Sequence, residues 1–265
     1  MKTLFRQILF TVFFIALLIG CDQDSGKGFT WVESKEWKNM GPISFTLPEF
    51  PGQEFMLVFP EWFTSDRVNS VTNFNWDLNP YSAVGAWDDG PYTAAITITL
   101  KKSEVQVELH WEYEFKNGSD TTVNSLSAFN CLNLNWAPLF KDLTMERTWV
   151  RDAKGREVSL KDIAKTQGED RRTMQFYPVK GGIDLNQFGL IARWQVNSPA
   201  QLTGNRVKVF SKDGKWQLET IVDGPVAYFF NNWEEDHGCV HAAPLFHTIA
   251  PGESGVAKGR IIFTR

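Results

Sequence analysis

Residues 104–115 constrain the fold more than any other stretch. Val105, Val107, Leu109, Trp111, Tyr113 and Phe115 alternate without a break with Glu104, Gln106, Glu108, His110, Glu112 and Glu114. Successive side chains of an extended chain point to opposite sides, so the pattern makes a strand with one buried and one wet face. Asn117-Gly118-Ser119-Asp120 then turns the chain, and residues 123–134 are expected to return as the second strand of a hairpin. Residues 94–100 (AAITITL) supply another strand. Turn residues at Asp152-Ala153-Lys154-Gly155 and Lys212-Asp213-Gly214 announce two more hairpins, 148–150 with 157–160 and 207–210 with 216–222. A last strand over 259–264 follows the turn APGES, and only 160–166 (LKDIAKT) has a helix-like pattern. Short strands separated by Gly, Pro and Asn, with no fixed-period repeat, predict an all-β, antiparallel sandwich or barrel with very little helix.

The chain start carries a different signal. Lys2 and Arg6 precede the uncharged run ILFTVFFIALLIG at residues 8–20, which ends before Asp22 and Asp24. A basic start followed by an apolar run too short to span a bilayer is the layout of a signal peptide. Leu18-Ile19-Gly20-Cys21 resembles the lipobox of bacterial lipoproteins, which implies acylation of Cys21, cleavage before it and a bilayer as partner. Residues 1–20 are thus expected to be removed, 21–28 to form a lipidated tether and 29–265 to fold as a single β-sandwich domain. The expected location is the bacterial cell envelope, with the leaflet left open. Cleavage removes two of the 27 basic residues and none of the 31 acidic ones, so the formal charge moves from −4 to −6. An acidic chain of this kind is a poor match for nucleic acid.

Two segments carry the candidate chemistry. Residues 231–241 (NNWEEDHGCVH) hold two of the four histidines, with His247 close behind. Residues two apart share a face of a strand, so His237, Cys239 and His241 are expected to point the same way, with His110 or Glu234 reaching in. Glu234, Glu235, His237 and His241 are the candidate acid-base residues. Imidazole and thiolate would suit zinc or another transition metal, but the spacing is that of neither a finger nor an HExxH site, so no metal is assigned. With Cys21 used for lipid, Cys131 and Cys239 remain, either as a disulfide or as two buried thiols. Each precedes an APLF tetrapeptide, at 137–140 and 243–246, either a coincidence of four common residues or the mark of two similar loops leaving neighbouring strands, which would bring the cysteines close. The second segment, residues 61–92, interleaves aromatic rings with Asn and Asp, which suits sugar faces and hydroxyls. Trp62, Trp76, Asp77, Trp87, Asp88 and also Trp233 are the candidate ligand-binding residues; the rival reading is that these rings fill the interior. Glu108, His110, Glu112 and Glu114 form a further row on one wet strand face. No phosphate loop, dinucleotide fingerprint or nucleophile elbow is present, so no cofactor is expected.

The stretch 107–140, with FKNGSDTTV at its turn, and the closing IAPGES and GRIIF resemble galactose-mutarotase-like supersandwich proteins. The resemblance implies a supersandwich-like fold and binding or modification of sugars in a cleft on a sheet, by a His and a carboxylate; no residue here is matched to those two. Three functions stay open: a lipid-anchored carbohydrate-binding protein, an epimerase-like or lyase-like enzyme on glycans, and a non-catalytic envelope assembly protein with a protein partner.

Overall fold

The computed structural model describes residues 29–34, 37–166, 174–185 and 196–265. Cys21, the signal-like segment and the tether lie outside them. Among the described residues the regular structure is nearly all antiparallel strand, and the helical content is two three-residue turns, Lys38–Met40 and Leu160–Asp162. The helix expected over 160–166 is therefore a single 3-10 turn, capped by Ser159, whose hydroxyl accepts from Lys161 N at 3.1 Å.

Gln106–Asn117 lies well inside a nine-stranded sheet, paired with Tyr92–Lys102 on one side and Ser254–Thr264 on the other. The alternation works as its chemistry dictates. Val107, Leu109, Trp111, Tyr113 and Phe115 are buried, while Val105 lies just before the strand and is exposed. Ser82–Asp89 and Asn75–Asn79 extend the sheet to one edge. Beyond Ser254–Thr264 come Gln217–Val222, Leu202–Phe210, Thr148–Asp152 and Glu157–Ser159, which include both hairpins announced by the turn residues. The last strand starts five residues earlier than the sequence pattern indicates.

The hairpin expected between 104–115 and 123–134 does not form. Asn117 is buried at the strand end, where its Nδ2 donates to the carbonyls of Thr121 (2.8 Å) and Ile249 (3.1 Å) and its Oδ1 accepts from Ser119 N (3.1 Å). Val123 then bonds Ile249 in both directions, and the chain crosses to the opposite layer. Ser127–Ala128 joins a small sheet with Trp62–Thr64 and Asn69–Val71, and Cys131–Asn133 enters a seven-stranded sheet.

That second sheet runs in the order Thr30–Glu33, Ile43–Thr46, Phe55–Val58, Cys131–Asn133, Gly238–Pro244, Val226–Trp233, Met174–Pro178. It packs on the nine-stranded sheet through rings: Phe45, Phe55, Phe50 and Phe140 all meet Phe263, with Phe55 edge-on at 4.9 Å. Burying each such ring contributes about 1.5–3 kcal/mol, so the aromatic richness serves the interlayer core. This is a large β-sandwich.

One feature of the seven-stranded sheet prepares the site. All seven residues of Gly238–Pro244 are buried, on both faces of the strand. Val240 and Ala242 join the interlayer core; Cys239 and Ala243 join two smaller clusters on the other face. Gly238 permits the entry, since a Cβ there would lie 2.8 Å from Asn135 N.

Candidate functional site

Strand register assembles the site on the outer face of the seven-stranded sheet. One cross-strand row reads Met56, Asn133, Cys239, Asn232, Met174. In the next, Val58 pairs with Cys131, and His241 with Phe230 and then Phe176; the register of Leu132 with Val240 continued by one residue sets Cys131 opposite His241. Cys131 and Cys239 are therefore diagonal neighbours. Their sulfurs lie 3.1 Å apart as free thiols, both buried.

These rows form the floor of a cavity of about 390 Å³ lined by Cys239, His241, Asn232, Phe129, Phe230 and Met174, with Glu61 beside Phe129 and with Glu234, His237, Trp37 and Met40 completing it. That volume falls in the range of small-molecule sites. Glu61 is fixed through its backbone: its N donates to Phe129 O (2.9 Å) and its carbonyl accepts from Thr72 N (3.0 Å). His241 is 1% exposed, stacked on Phe129 at 4.1 Å and edge-on to Phe230 at 4.8 Å. Neither of its ring nitrogens has a hydrogen-bond partner, and Asn232 Oδ1 has none either. At the rim, His237 Nδ1 lies 2.9 Å from Asp236 Oδ1 and its ring 5.9 Å from that of Trp37.

Burial sets the charge of the floor. It pushes the Glu61 carboxyl up to about 8, partly offset by a hydrogen bond with Cys131. It also pushes the Cys131 thiol well up, with the Cys239 thiol and Glu61 adding to the effect, and it holds the His241 imidazole well below the ordinary histidine range. At neutral pH the floor is thus uncharged but bears donors and acceptors. The rim differs: the His237 hydrogen bond draws the Asp236 carboxyl down.

The residues named from sequence divide accordingly. Glu234, His237 and His241 line the cavity, whereas Glu235 is exposed and is not among the lining residues. Trp62 packs on the Phe129–Phe230 cluster next to the cavity. The other ligand-binding candidates lie away from this cavity, and Trp87 and Asp88 share the lining of a separate hollow on the nine-stranded sheet. Trp87 is buried against Phe63 and Phe115, and Trp233 is 1% exposed in the interlayer core. The parity of Val226–Trp233 explains the second case: Phe229 and Trp233 face the core, so Phe230 and Asn232 face the cavity. Trp76 donates its ring N–H to Gly41 O at 2.6 Å, and Asp77 and Asp88 are exposed near the edge of the nine-stranded sheet, in the other layer.

His110 also lies in that layer, 2.7 Å from Glu108, in a hollow of about 410 Å³ with Glu112, Asp223 and Lys258. Its exposed Glu112–Lys258 ion pair, at 2.9 Å, marks a solvated sheet face. Sequence reasoning did not single out Glu61, Phe129, Phe230, Asn232 or Trp37. Glu61 had a signal, a lone carboxylate inside the apolar run FMLVFPEWF.

No family model matches this chain, and no curated protein does. Among solved structures, a galactose mutarotase-like protein from Lactobacillus casei is 10% identical with a TM-score of 0.41, covering 89% of this chain and 100% of its own. A galactose mutarotase related enzyme from Lactobacillus acidophilus is 11% identical with a TM-score of 0.40, covering 89% and 96%. A galactose mutarotase-like protein from Clostridium acetobutylicum is 9% identical with a TM-score of 0.39, covering 85% and 93%.

Proposed function

We propose that this chain is a lipid-anchored protein of the bacterial envelope that binds a small, uncharged carbohydrate in the cavity on its seven-stranded sheet. One observation carries the reading: the cavity has aromatic walls and a buried floor of polar groups that are neutral at physiological pH. Sugar rings offer apolar faces for Trp37 and Phe230 and hydroxyls for Asn232 Oδ1, Glu61 and the rim residue Glu234. An anionic ligand would meet the carboxylates of the rim, Glu234 and Asp236.

Calorimetry on the chain lacking residues 1–21, with neutral monosaccharides and disaccharides beside uronic acids, tests this. Binding of a neutral sugar should weaken at least tenfold in Trp37→Ala and in Asn232→Ala. No heat with any neutral sugar, or equal affinity in both variants, refutes it. Glu61 supports a second reading, an enzyme acting on the bound sugar, because a carboxyl that is neutral near pH 7 can donate a proton. Turnover lost in Glu61→Gln with binding retained would establish it. The anchor has its own test: Cys21→Ser should move the protein from the membrane fraction to the soluble one and abolish labelling by a fatty-acid analogue.

A further inference from the structure

We propose that Cys131, Cys239 and His241 form a three-ligand site for one divalent transition-metal ion of the zinc type, with a fourth position open to the cavity beside Glu61. The ligand atoms of the three residues all lie within 4.8 Å of one another, and all three side chains are buried. Tetrahedral zinc with thiolate bonds of about 2.3 Å separates two sulfurs by about 3.8 Å. The thiols, now 3.1 Å apart, need to spread by about 0.7 Å, within reach of side-chain rotation. Two thiolates and an imidazole match a borderline-soft ion, and three protein ligands with one open position is the arrangement of catalytic rather than structural zinc.

His241 supplies the independent observation. A buried imidazole whose two nitrogens both lack partners is costly, and here the ring is clamped between Phe129 and Phe230 within reach of both sulfurs. A metal bond would satisfy one nitrogen. Register supplies the rest, since Cys239 and His241 are two apart on one strand and Cys131 is on the next. Binding displaces one proton from each thiol, so two thiolates cancel the charge of a divalent ion and the site stays neutral overall. The inference does not depend on the sugar reading; the ion would bind with or without a ligand in the cavity.

The test uses the full chain, extracted from membranes in detergent without chelators. Elemental analysis should find about one zinc per chain, and peptide mapping should find Cys131 and Cys239 unoxidised. Exchange into cobalt(II) should give a thiolate-to-cobalt charge-transfer band. That band and the metal should both be lost in Cys239→Ser and in His241→Phe, the second being a variant that keeps the ring packing. A Cys131–Cys239 disulfide in the isolated protein overturns the proposal. So does a reduced protein that takes up neither zinc nor cobalt, or metal retained at wild-type stoichiometry in both variants.

Discussion

The bare imidazole of His241 makes an unusual demand: the metal-free protein should become more stable when this histidine is replaced by phenylalanine. His241 is 1% exposed, and both ring nitrogens lack partners. A buried polar group left unpaired costs about 1–3 kcal/mol, which phenylalanine removes. The ring keeps its stack on Phe129 at 4.1 Å and its edge contact with Phe230 at 4.8 Å, and the extra ring volume can extend into the cavity that His241 lines. The net expectation is a gain of about 1–3 kcal/mol, or roughly 2–12 °C in Tm for a domain of this size. Urea and thermal unfolding of reduced, chelator-treated chain lacking residues 1–21 would measure it. Excess zinc should reverse the order, because only the wild type gains the binding term. A loss of 1 kcal/mol or more in His241→Phe without metal, at unchanged m-value, would refute the reasoning and make the histidine a packing residue.

Three other outcomes follow from the fold. Asn117→Asp replaces a donor to two buried carbonyls with an acceptor, so urea denaturation at pH 7 should show a loss of about 3–5 kcal/mol, from two broken bonds and the unpaired groups they leave. Burial pushes the hydroxyls of Tyr113, Tyr177 and Tyr228 upward. These tyrosines ionise near pH 10 only once unfolded, so stability is full below that pH and falls above it, by up to about 1.4 kcal/mol per pH unit for each. Tyr177→Phe should flatten the decline in urea midpoint between about pH 9 and 11. Gly238→Ala, whose Cβ would sit 2.8 Å from Asn135 N, should destabilise the fold and shift Cys239, read as a lower Tm together with weaker cobalt uptake.

Wherever one face of a strand is wet, the sequence displayed the fold plainly. Gln106–Asn117 and the two hairpins at Asp152 and Lys212 could be read directly, because alternation and turn chemistry are local. What failed was long-range pairing. The turn at Asn117 looks like a hairpin turn, and only the bonds to Ile249, 132 residues away, reveal a crossover between layers. The Trp-rich segment was hard to place for a related reason. Trp87 and Trp76 have the composition of a sugar platform, but strand parity and the interlayer core decide where rings point, and composition does not record parity.

The residues around Cys239 resisted reading for the opposite reason. A strand buried on both faces shows no alternation, so GCVHAAP does not say which side carries chemistry. Parity within the segment already required Cys239 and His241 to share a face; the missing element was a partner strand, and Cys131–Asn133 supplies it at a sequence distance no local pattern can reach. Glu61 comes from a third segment, fixed by its backbone bond to Phe129. Three unrelated stretches therefore place a carboxyl, two thiols and an imidazole on one buried patch, each of which local stability would replace with an apolar residue. A fold that keeps four such groups together at a stability cost is better explained by what they bind than by what they pack.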